Sequence, residues 1–217
     1  MLFFFIVGMI GSLIYVVKKY IFDIEKPYSA TVIDAKWSVL YLNNGKYVTL
    51  AGISIPDKLE RGPNIFPELV NNIGKILIDK KITIELMERY RTGAPNKSDL
   101  VRVYLEDGTC VNTYLLENGM AFFSHGYYRD KEKEIEAEAR AKKAKKGIWA
   151  KDLQLLYVGS KDWEGVHYPE CPEVKKIKPE NRMEYYNRPV AVNWYRDWDP
   201  ECPYCDEIRK TKPEHLK

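Results

Sequence analysis

The residues best equipped for chemistry lie in the last third of the chain. His167 and Cys171 form an H-x3-C pair, and thirty residues later Cys202 and Cys205 form a C-x2-C pair. Four soft or borderline ligands in two close pairs are what tetrahedral zinc requires, and the short loops let each pair chelate. Two other readings compete: incidental cysteines beside a stray histidine, or a redox CxxC. The strand-to-helix context of a thioredoxin motif is missing around Cys202-Pro-Tyr-Cys205, so a single structural zinc on His167, Cys171, Cys202 and Cys205 is the expectation. Four cysteines in 217 residues are too few for a disulfide-stapled secreted fold. The fourth, Cys110, reads as a small residue of the core. His125 and His215 have no recognisable partner and are assigned no role.

Those ligands need a scaffold, and the composition allows one. The chain has 45% hydrophobic, 13% aromatic and 30% charged residues, which excludes a disordered or collagen-like chain. A net charge of +3 does not announce a polyanion binder. Three parts follow from the patterning: residues 1–22, 27–152 and 153–217. Met1 to Val17 carry no charged side chain, and Lys18, Lys19 and Tyr20 follow. About 17 apolar residues is the short end of a membrane span, with the lysine stems snorkelling and the tyrosine at the interface. A cleaved signal peptide is the rival, but it needs a basic start and a small-x-small site. An uncleaved single-pass anchor is therefore expected. Lys18, Lys19 and Lys26 place the body on the cytoplasmic side by the positive-inside rule, although Asp23 and Glu25 lie among them.

In 27–152, β-branched and aromatic runs mark strands at Ala30 to Ile33, Ser38 to Leu42, Tyr47 to Ile53, Ile82 to Leu86 and Leu100 to Leu105. Asn44-Gly45 is a hairpin turn. Leu69, Val70, Ile73, Ile76 and Leu77 lie on one helix face. Asn112 reads as the cap of a short helix closing at Gly119. A last helix, about Asp130 to Lys146, is acidic early and basic late, with Gly147 at its stop, and its charges read as a solvated face. Twenty basic against 17 acidic residues in this part support that reading over a nucleic-acid patch. Five strands with a helix between the third and fourth, and helices after the fifth, predict an α+β domain built on a five-stranded OB-type Greek-key barrel. Residues 153–217 show no sustained periodicity, and a segment of that size rarely stands without a staple or a metal.

The text of the middle part goes further. Val48-Thr-Leu-Ala-Gly-Ile-Ser-Ile-Pro-Asp57, Asp107-Gly-Thr-Cys-Val-Asn112, Leu115-Leu-Glu-Asn-Gly-Met-Ala121 and Ala137 to Trp149 appear in one order. Together they resemble the staphylococcal-nuclease family over nearly all of 27–150. That resemblance implies a Ca²⁺ held by two aspartates, a glutamate that activates water, and two arginines that neutralise the developing charge. A hard cation needs oxygen ligands, and the transition state needs fixed cations. Carried over residue by residue, the first metal aspartate falls at Trp37 and the first arginine at Thr49. The second metal aspartate falls at Ser54, the general base at Asp57, and the second arginine at Asp99. Four groups have lost their chemistry and the fifth is a methylene short. Arg102 lies an odd number of residues from Asp99, so on a strand it faces the other way.

The C-terminal part resembles the small zinc module of the Ada DNA-repair family, through Tyr157-Val-Gly-Ser-Lys, His167, Cys171-Pro-Glu-Val-Lys-Lys-Ile-Lys-Pro-Glu-Asn181 and Cys202 to Cys205. That family's methyl-accepting cysteine corresponds to His167, so the resemblance implies a structural zinc without methyl transfer. The expectation as a whole is a membrane-anchored, non-catalytic nuclease-like domain with a zinc module. It would serve as an interaction or scaffold module on the bilayer, or as a subunit of a membrane complex. An unidentified protein partner is expected, nucleic acid is a secondary candidate, and calcium is left without its ligand set. The alternative is a divergent membrane-bound nuclease.

Overall fold

The computed structural model describes residues 26–55, 66–88, 98–124, 131–151, 153–161, 166–186 and 202–211. The uncharged run Met1–Val17, Asp57, His125 and His215 lie outside these residues. No helix among the described residues is long and apolar enough to cross a membrane.

Strands β1 (Tyr28–Lys36), β2 (Val39–Leu42), β3 (Tyr47–Leu50), β5 (Lys81–Glu88) and β6 (Leu100–Tyr104) close into a barrel in the order β1-β2-β3-β6-β5. Only β3 and β6 pair in parallel. The period-2 pattern explains closure, because Val32, Leu40, Leu42, Val48, Leu50, and Ile84 point inward and are essentially buried. Helix α1 (Phe66–Leu77) packs Leu69, Ile73 and Leu77 into the same core. This is the five-stranded architecture expected of an OB-type barrel.

Three local readings of the sequence change. Tyr47 to Ile53 is not one strand: β3 stops at Leu50, a turn at Ala51-Gly52 follows, and β4 (Ile53–Ser54) pairs with β7 (Phe122–Phe123). Asn112 does not cap helix α2 (Val111–Glu117); Cys110 holds the N-cap position. Asn112 is fully buried instead. Its amide nitrogen donates to the carbonyls of Ala51 and Val101 at 2.9 and 3.1 Å, and its oxygen accepts from the Val103 amide at 3.1 Å. Satisfying β3–β4 and β6 backbone groups across 61 residues outweighs a local cap.

Helix α2 ends in a Schellman turn, with the Met120 amide on the Leu115 carbonyl and the Gly119 amide on that of Leu116. Helix α3 (Glu132–Lys143) ends the same way, but Lys145 takes the left-handed position at φ +49°. Gly147, expected at that stop, does something else. It meets Gly119 backbone to backbone, both at positive φ, and a Cβ on either would collide with main-chain atoms of the other segment. The Ile148 amide then donates to the Gly119 carbonyl at 2.8 Å.

The C-terminal part is a three-stranded sheet in the order β10-β8-β9: β8 (Tyr157–Ser160), β9 (Val166–His167) and β10 (Arg182–Tyr185). Helix α4 (Pro203–Thr211) follows. The sheet joins the barrel through Trp149, whose ring stands edge-on to Phe122 at 5.2 Å and to Tyr186 at 5.4 Å. The Lys142 ammonium lies 4.6 Å from the Trp149 centroid, within cation–π range.

Candidate functional site

Short local elements build the chelating cluster. Pairing of Val158 with His167 sets His167 at the end of β9. The Cys171 amide donates to the Tyr168 carbonyl at 2.9 Å, turning the chain back toward the histidine. Cys171 then begins a 3-10 turn with Pro172 in its first position. Cys202 directly precedes α4, and Cys205 lies in the first turn of that helix. Their four ligand atoms all lie within 4.8 Å of one another, and all four residues are buried. Nδ1 of His167 stands 3.6 Å from Cys171 Sγ and 3.5 Å from Cys205 Sγ, and Cys171 Sγ is 3.5 Å from Cys202 Sγ.

These spacings discriminate between chemistries. A disulfide would bring sulfurs to about 2.05 Å, and all the cysteines are free. A tetrahedral ion with bonds of about 2.0–2.3 Å has edges of about 3.5–3.8 Å, and the three separations just given lie at that scale. Burial pushes the Cys171 and Cys205 thiols up from their ordinary values. A cation is what would convert them to thiolates in such surroundings. The cluster can hold a metal ion, with His167 entering through Nδ1.

The barrel holds a second site of interest, the corner where the nuclease resemblance puts its chemistry. The Leu50 amide donates to the Ser38 carbonyl at 2.8 Å, and the Thr49 amide to the Asp99 carbonyl at 2.9 Å. The backbone therefore brings the Trp37-Ser38 turn, Thr49 and Asp99 to one corner. Among the described residues, the side chains at this corner are Trp37, Ser38, Thr49 and Asp99. Trp37 is 51% exposed, and the Thr49 hydroxyl is hydrogen-bonded to that of Ser98. The Asp99 charge, behind burial in weight, helps push the Tyr28 phenol up. Ser54 sits apart in the β4–β7 ladder. Asp34 is held by Lys36 Nζ at 3.6 Å and accepts the Ala35 amide at 2.8 Å. Cys110, read as core, is half-buried at the start of α2.

Arg102 shows what the sequence did not. Its Nε and Nη2 donate to Glu134 Oε1 and Oε2 at 2.8 and 3.0 Å. The arginine is 7% exposed and the glutamate 1%. Glu134 thus departs from the solvated face read for its helix. The pair is separated by 32 residues and belongs to a strand and a helix; no spacing rule announces it. A bidentate arginine–carboxylate contact fixes both planes, so Arg102 braces α3 on the barrel.

A closed five-stranded barrel with its sealing helix, followed by a buried Cys3His cluster, defines an OB-type domain carrying an appendage whose cluster could hold a metal ion. More particularly, residues 47–151 match the family described as staphylococcal nuclease homologue, and this stretch is a staphylococcal nuclease-like domain. No curated protein matches the chain.

Proposed function

We propose that this protein is a membrane-anchored, non-catalytic nuclease-like domain, stapled by structural zinc, that works as an interaction or scaffold module. The barrel corner carries the reading. Trp37, Thr49 and Asp99 stand where the nuclease resemblance requires a carboxylate and two arginines, and the arginine nearest to Asp99 in sequence, Arg102, is engaged by Glu134. Losing one fixed electrostatic group of this kind costs on the order of a hundredfold or more in rate. Losing both arginines and both metal carboxylates leaves the family's mechanism without its parts. The uncharged stretch Met1–Val17 supports an anchor, and Lys18 and Lys19 support a cytoplasmic body. Free, closely spaced thiols suit such a reducing compartment. For the cluster, three thiols and one imidazole at tetrahedral spacing favour zinc over hard cations, which want oxygen. The likeness to the Ada zinc module supports the same assignment.

The test is direct. Full-length protein in detergent, incubated with DNA or RNA and Ca²⁺, is expected to leave both uncut. Metal-dependent cleavage that disappears in Asp57→Ala would replace this reading with that of a divergent nuclease. Carbonate-washed membranes should retain the chain with its N-terminus intact.

A further inference from the structure

Helix α2 packs on β6, Glu134 ties α3 to β6 through Arg102, and helix α1 packs on β1; the outward side of β1, β2 and β3 nonetheless keeps exposed residues. That side is rich in large apolar groups. Ile33 is 56% exposed, Trp37 51%, Tyr47 42% and Tyr41 37%. Tyr41 and Tyr47 are direct cross-strand partners, with ring centroids 6.2 Å apart. Lys36 reaches over the Tyr41 ring at 5.7 Å, and Lys46 over the Tyr28 ring at 5.9 Å, at the barrel's rim. Ile33 faces outward by the strand's alternation after buried Ala30 and Val32, and the β1–β2 register shift leaves it without a ladder partner. Acidic groups near this side among the described residues include Asp34, already on Lys36, Asp99, near Tyr28, and Asp79, whose amide donates to the Val32 carbonyl.

Trp37 adds a second, independent observation. It occupies the β1–β2 turn at φ +53°, a conformation that glycine or asparagine adopts without strain and a bulky side chain rarely does. The indole thus stands half-exposed on a turn whose backbone stores strain, a combination that clusters at binding sites.

We infer that this β1–β2–β3 side, with Trp37, Tyr41, Tyr47 and Ile33 as its contacts and Lys36 and Lys46 beside them, rests on the surface of the bilayer. The inference rests on the anchor reading above. Indole and phenol rings prefer the headgroup region, where an apolar body meets a polar tip, and lysines add attraction to anionic lipid. Tether length argues for the same occupant. Only Asp23 to Pro27 separate Phe22, the end of the apolar segment, from Tyr28, a reach of about 20 Å at full extension. A barrel held that close must turn one of its sides to the lipid. The aromatic side, whose first strand the tether enters, is the one with interfacial chemistry.

The experiment uses full-length protein reconstituted into phosphatidylcholine–phosphatidylglycerol vesicles, with and without brominated acyl chains. Bromolipid should quench a component of tryptophan emission that Trp37→Phe removes. In that Trp37→Phe background, Tyr114→Trp, on the exposed face of α2, should add emission that bromolipid does not quench. Lys36→Glu with Lys46→Glu should reduce the quenching in the parent chain. If the chain floats with the vesicles but Trp37 is not quenched, the docking is wrong and the anchor stands. If the chain does not float, both are wrong. If only a single-stranded oligonucleotide shields Trp37 from a water-soluble quencher, this side belongs to nucleic acid and the inference is overturned.

Discussion

The barrel and the C-terminal sheet are held by different means. Inside the barrel, Val32, Leu40, Leu50, Ile84 and Val103 are at most 1% exposed, and none of them carries a polar atom on its side chain. In the C-terminal part the residues buried as deeply include Tyr157, His167, Cys171 and Cys205. Its strands are two to four residues long, too short to bury a core by themselves. A barrel closed on an aliphatic interior can exchange what it displays outside without losing its shape. This one displays Trp37, Thr49 and Asp99 where its resemblance calls for charges of other kinds. A chelate has the opposite tolerance: the surroundings are free to vary, but the four ligands are not.

Metal removal should separate the two parts most sharply. Structural zinc contributes roughly 10 kcal/mol or more to small modules. Chelation, or Cys202→Ser, is therefore expected to abolish amide protection in β8, β9, β10 and α4 while the barrel strands keep theirs. Hydrogen exchange read by mass spectrometry checks this. Metal analysis should find about one zinc per chain, and Cys110→Ser should leave that content unchanged. Equal loss of protection in both parts would show that they fold as one unit.

The barrel's own weak point is its buried ion pair. Glu134→Ala removes the bidentate carboxylate that neutralises the buried Arg102 guanidinium, a loss of about 3 kcal/mol. The melting temperature should fall, with metal content retained. Adding Arg102→Met should recover part of that loss, because the buried charge that lost its carboxylate is gone. A smaller effect is expected at alkaline pH. Burial, then the hydrogen bond to Glu85, raises the Tyr104 phenol far above its usual 10, and burial, then Glu184, does the same for Tyr186. Their contribution is complete below the unfolded value and declines as pH climbs from there toward the folded value. Urea midpoints should fall between about pH 9 and about pH 11. Tyr104→Phe should flatten the barrel's part of that slope, and Tyr186→Phe that of the junction.

What was readable in the sequence follows the same division. Alternation gave the barrel strands because inward and outward positions differ in kind at every step. The ligands were readable because each chelating pair is local, three or four residues apart. Asn112 obeyed a local capping rule in sequence, yet its amide is taken by the carbonyl of Ala51, 61 residues away. Arg102 and Glu134 were illegible for the same reason. The strands β8 to β10 are too short to show a period, so the cluster could be read while the sheet that positions it could not.

The meeting of Gly119 and Gly147 bears on how freely this domain can drift. Most tight contacts in a core lie between side chains, so enlarging one partner can be compensated by trimming the other. Here each glycine faces main-chain atoms, and nothing on the opposite side can be trimmed. No second-site change at the contact can restore the fit. In a saturation library selected for folded protein, these two positions should accept glycine alone, and revertants of a Gly119→Ala variant should be true revertants rather than suppressors.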